Sequence, residues 1–109
     1  MDREPSRVNG VSRGMVERLE DQVEKEERDI EILRVVLEQG PIGIVRIAEE
    51  TDLPEHKVRY SLRMLENDGL VEPTPEGAVP GENAAELLAG HNEGIDRLVE
   101  QLESLKGLF

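Results

Sequence analysis

Five residues within one short stretch carry the chemistry worth weighing: His56, Lys57, Arg59, Tyr60 and Arg63. From residue 55 to 65 there are three bases against the single acid Glu55, in a chain whose net charge is −12. Arg59 and Arg63 are four apart, so on a helix they share a face. A guanidinium can grip a phosphate or a guanine edge through two parallel N–H donors, and a Lys can bind a phosphate as a point charge. Tyr60 can reach a backbone or a thymine methyl, and His56 is placed for a base edge or a phosphate. This chemistry is recognition of anions and base edges. The plainer reading is a solvated helix face, with Arg59 or Arg63 paired to Glu55 or Glu66.

Other groups are poorer in chemistry. With no cysteine there is no thiolate metal site, no disulfide framework and no cysteine nucleophile. Walker loops, HExxH motifs and carboxylate pairs with a supporting His are absent from the sequence. Ser61 reads as a packed residue at a helix edge rather than a nucleophile. The eight acids and three bases between residues 17 and 31 read as a solvated helix face. The expectation is a protein that is not an enzyme and holds no cofactor or metal.

The elements that must position those five residues follow from spacing. Pro54 suits a first helical turn, where its missing N–H costs nothing. Val58, Leu62 and Leu65 recur at helical spacing and form one buried stripe. Asn67-Asp68-Gly69 ends the helix, with Gly69 as a left-handed cap. Ahead of it, Ile44, Ile47 and Ala48 predict a short helix over 44–51, and Asp52-Leu53 a tight turn. Behind it, Leu70 to Pro73, the turn Thr74 to Gly77, and Ala78 to Pro80 predict a hairpin.

On the residues GPIGIVRIAEETDLPEHKVRYSLRMLENDGLVEPTPEGAV, the region from Arg34 to about Gly90 resembles the winged helix-turn-helix domain of archaeal and bacterial transcriptional regulators. The resemblance implies a mainly α fold with a small β-hairpin wing, and double-stranded DNA as partner. It makes residues of about 54–66 the recognition helix, with His56, Lys57, Arg59, Tyr60 and Arg63 as contacts. Arg46, on the preceding helix, becomes a second phosphate contact. The hairpin departs from the family's habit of placing an Arg or Lys at its tip. Thr74-Pro75-Glu76-Gly77 has no base, and Glu72 and Glu76 would repel phosphate.

The flanks of that domain carry apolar stripes of their own. From about Ser12, a possible cap, a helical pattern runs to Gly40-Pro41, through Met15, Val16, Leu19 and Val23 and then Ile30, Leu33, Val36 and Leu37. Glu24 to Asp29 interrupts it without an apolar residue, so one continuous helix and a hinge near Glu26 are both open. A last helix is expected over about 83–105, with Ala84, Leu88, His91, Ile95, Leu98, Leu102, Leu105 and Phe109 at alternating spacings of 4 and 3. That is a heptad seam. Gly90 and Gly94 predict a bend within it. His91 reads as a polar break that sets register rather than as a metal ligand. The stripes Val16, Leu19, Val23 and Ile95, Leu98, Leu102, Leu105 predict a homodimer interface.

The expected organisation is a disordered tail (1–12), a helical extension (13–28), a winged helix-turn-helix (29–90) and a dimerisation helix (91–109). Ten Arg against three Lys, with acids in such excess, resemble the composition of proteins from salt-in halophiles. At molar salt the Debye length falls to about 3 Å, so surface repulsion is screened. No apolar run reaches membrane-spanning length and the start of the chain lacks an apolar signal core, which predicts a cytoplasmic protein. The function expected is a homodimeric, sequence-specific transcriptional regulator with no evident small-molecule ligand. The alternative is a winged-helix protein-interaction module without DNA binding, which the net charge and base-free wing favour.

Overall fold

The computed structural model describes residues 14–107, so expectations for the tail, for Ser12 and for Phe109 lie outside the described residues. In chain order the elements are α1 (Met15–Gln39), α2 (Ile44–Thr51), α3 (Glu55–Asn67), β1 (Val71–Thr74), β2 (Gly77–Pro80), α4 (Ala84–Leu88) and α5 (His91–Glu103). The fold is mainly helical, with one two-stranded antiparallel hairpin among the described residues.

α1 is a single helix of 25 residues, so the hinge left open at Glu26 does not form. Its N-cap is Gly14, whose N–H donates to the Glu17 carboxylate at 2.6 Å. A boundary between residues 28 and 29 would therefore run through the middle of a helix. The polar stretch from Glu24 to Asp29 is helical throughout, with Lys25, Arg28 and Asp29 half-buried and the three glutamates exposed. Its core stripe also differs from the expected one. Ile32, Leu33, Val35 and Val36 are buried, whereas Ile30 and Leu37 remain 41% and 45% exposed.

The core gathers those four residues with Ile42, Ile47, Val58, Leu62, Leu65, Val71 and Ala78. The expected stripe of α3 is thus in place, with Ser61 as an addition that the apolar pattern did not reveal. Asp52 takes the left-handed conformation (φ 59°) between α2 and α3, one of the few non-glycine residues that tolerate it. Pro54 is the N-cap of α3 rather than its first helical residue. Gly69 (φ 78°) closes the helix as expected. The Gly69 N–H reaches the Glu66 carbonyl and the Leu70 N–H the Leu65 carbonyl, the pair of bonds of a Schellman ending.

The hairpin pairs Val71 with Pro80 through to Thr74 with Gly77. Ile42, in the loop after α1, adds a third backbone to it by exchanging hydrogen bonds with Ala78 at 3.1 and 2.8 Å. That bridge explains Gly77, where φ is 129° and a Cβ would come within 2.5–2.8 Å of the Ile42 backbone. The expected long C-terminal helix is two helices. The chain breaks at Ala89-Gly90, as the two glycines suggested, while Gly94 stays inside α5.

Candidate nucleic-acid interface

His56, Lys57, Arg59, Tyr60 and Arg63 are all exposed along α3. They are exposed because Val58, Ser61, Leu62 and Leu65 take the buried side of the same helix. A shallow hollow of about 400 Å³ brings these five together with a residue from a different helix, Arg28 of α1. Arg28 donates from Nε to the Ser61 hydroxyl at 3.2 Å, across 33 residues of sequence. Three residues earlier, the Lys25 ammonium sits 5.9 Å from the centre of the Tyr60 ring, a cation–π distance. Neither α1 base was singled out from the sequence, where they counted only as two of three bases among eight acids.

Arg34 pairs with Glu38 at 3.6 Å and Arg46 with Glu50 at 4.0 Å. Arg46 also donates to the Gln39 amide at 3.5 Å, which in turn donates to Glu50 at 3.1 Å. Arg46 therefore belongs to a surface network at the α1–α2 corner and is not among the residues of the hollow. Among the described residues, Lys25, Arg28, Lys57, Arg59 and Arg63 have no carboxylate within ion-pair distance. Pairing of Arg59 or Arg63 with Glu55 or Glu66, the plainer expectation, does not occur. In a chain with 25 acids and 13 bases, four unpaired bases around one hollow, with Lys25 beside it on Tyr60, make a local field opposite in sign to the whole.

The other side of α3 has the reverse character. Leu62 and Glu66 face the wing across a second hollow, whose rim includes Pro73, Thr74 and Glu76. The wing tip is held by the Thr74 hydroxyl, which donates to the Gly77 carbonyl at 2.7 Å and accepts from the Glu76 N–H at 3.2 Å. Glu72 is occupied with the Glu82 N–H at 3.2 Å. The hairpin is well ordered internally and offers no base to an anion.

The apolar stripes expected to form a dimer interface lie toward the far end of α1 and along α5. α5 returns alongside α1 in the opposite direction, and Leu19, Val23, Ile30, Ile95, Leu98 and Leu102 line the groove between them. The groove continues past Val16 and Leu105. These side chains are not covered: Val16 is 67% exposed and Leu102 45%. His91, expected within the seam, stands at the first turn of α5 beside Leu37 and Leu88. Among the described residues no group of His, Asp or Glu is placed to hold a metal ion. No described helix is long and apolar enough to cross a membrane.

Residues 25–72 match the family described as winged helix-turn-helix DNA-binding. The match begins at Lys25, on α1, and ends in β1, so it takes in both helices that form the basic hollow. No curated protein matches the chain. The matched stretch, 48 of the 109 residues, and the helices and hairpin of the fold agree on a winged helix-turn-helix architecture.

Proposed function

We propose that this chain is a sequence-specific transcriptional regulator that binds double-stranded DNA as a homodimer, with α3 in the major groove. The observation that carries this reading is the set of bases left unpaired around α3 in a strongly acidic chain. His56, Lys57, Arg59, Tyr60 and Arg63 are the proposed contacts. Arg46 is an outlying phosphate contact that must first release Glu50. The test is fluorescence anisotropy of labelled duplex from the protein's own upstream region, titrated across a KCl series. Saturable binding that weakens with salt is expected. Absence of binding at every salt concentration would leave the second reading, a protein-interaction module, which the acidic wing favours.

The dimer rests on the half-exposed groove between α1 and α5. A second copy is the occupant proposed, because both helices present heptad-spaced apolar residues and neither covers the other. Removing residues 95–109 is expected to turn a dimer into monomer or aggregate by light scattering; a monomeric full-length chain in high salt sinks the idea. A halophilic, archaeal setting is proposed from the acid-rich, Lys-poor composition. The melting temperature should then climb as KCl rises to molar concentration, and a flat curve would count against it.

A further inference from the structure

We infer that the hollow between α1 and α3 is a phosphate site, in which Arg28, held in place by Ser61, grips the DNA backbone beside the reading face, with Lys25 close by over the Tyr60 ring. The inference deepens the DNA-binding reading and rests on it. Nothing in the sequence pattern of the helix-turn-helix itself requires a base on α1.

The first support is the tether. Ser61 is wholly buried, and a buried hydroxyl is costly unless hydrogen-bonded. Its side-chain partner is the Arg28 Nε, at 3.2 Å. Using only the Nε–H for this bond leaves the four N–H donors of the two terminal nitrogens. Those donors meet no carboxylate among the described residues. A guanidinium fixed at one end, with its fork free, is prepared for a planar, bidentate acceptor such as a phosphodiester.

The second support is the division of charge around α1. Glu20 and Glu24 line the groove toward α5, as do Glu26, Glu27 and Glu31. Arg28 lines the hollow toward α3, and Lys25 lies over Tyr60. Five of the eight acids between residues 17 and 31 thus line the grooves toward α5, while Asp29, whose Oδ1 is buried without a hydrogen-bond partner, is not among them. Bases gathered without counter-charges repel one another, and an anion arriving between them relieves that repulsion. Lys57 and Tyr60 complete the hollow from α3, so a phosphate held there lies next to the groove that Arg59 and Arg63 would read. With Glu72 and Glu76 on the wing, this flank is the one suited to the backbone.

The experiment uses the full chain, the same upstream duplex and a KCl series, with Arg28→Ala, Ser61→Ala and the double variant. A phosphate contact contributes about 0.9 to the slope of log K against log salt. Arg28→Ala should therefore lower that slope by about 1 and weaken binding on the order of tenfold, with base preference unchanged. Ser61→Ala keeps the charge, so its slope should stay near wild type while affinity falls less. The double variant should match Arg28→Ala alone. If Arg28→Ala does not fold, Arg28→Lys, which loses the Ser61 bond but keeps the charge, should behave like Ser61→Ala. An unchanged slope in Arg28→Ala, or losses that simply add in the double variant, overturns the proposal. Loss of binding in Arg59→Ala beside normal binding in Arg28→Ala overturns this site alone. A wild-type chain that binds no duplex overturns both readings.

Discussion

The two flanks of α3, one a long helix and the other a short hairpin, present opposite charge. On one side α1 brings Lys25 and Arg28 against Tyr60 and Ser61. On the other the wing brings Glu76 near Glu66, over a floor that includes Leu62. An anionic duplex meeting α3 is attracted along one edge and repelled along the other. The docking geometry should accordingly lean toward α1. Net charge alone, −12, would have argued against any duplex; around α3 the distribution of charge has the opposite sign and favours one.

The comparison can be broken most heavily through Leu62, which is 7% exposed, belongs to the core and lines the wing-side hollow. Leu62→Ala should cost about 2–5 kcal/mol of stability by opening a cavity in the core. Denaturant unfolding measures this, and a loss well below that range would show that the wing flank is not seated on the core. Arg59→Ala and Arg63→Ala come next. Each should weaken duplex binding by about 1–3 kcal/mol where a bidentate base contact is lost, and relax preference at that base. Their melting temperatures should stay near wild type, since neither side chain is buried. Normal affinity in both would remove α3 as the reader. The smallest effect sharpens the contrast from the acidic side. Glu76→Lys should tighten binding modestly and raise the salt slope by about 1 if the wing tip comes within reach of a phosphate. An unchanged slope would show that the wing stands clear of the duplex.

Much of this architecture was legible in the residues because it is local. The spacing of Val58, Leu62 and Leu65, the cap at Gly69 and the break at Gly90 each depend on neighbours within a turn or two of chain. What escaped was set by distant partners. Ser61 looked like edge packing because its partner, Arg28, lies 33 residues away. Lys25 and Arg28 were submerged in an acidic count because a linear sum does not say which helix lies on which side of α1. Ile32 and Val35 replaced Ile30 and Leu37 in the core for the same reason: α3, not α5, covers the tighter face. The Ile42–Ala78 bridge joins a loop to a hairpin 36 residues later, a pairing no periodicity announces.

That α1 is unbroken has a geometric consequence. Twelve residues separate Val16, in the apolar groove, from Arg28, in the basic hollow; at 1.5 Å of rise each, this is about 18 Å of rigid rod. In the proposed dimer, α1 would act as a ruler. It would fix how far each reading head stands from the two-fold axis, and so which separation of half-sites along the duplex fits without bending. One residue inserted near Gln22 would turn the two ends about 100° out of phase, whereas four would nearly restore the phase and lengthen the rod by about 6 Å. The first insertion should abolish binding and the second should change the preferred half-site separation, which selection from randomised spacers would read directly.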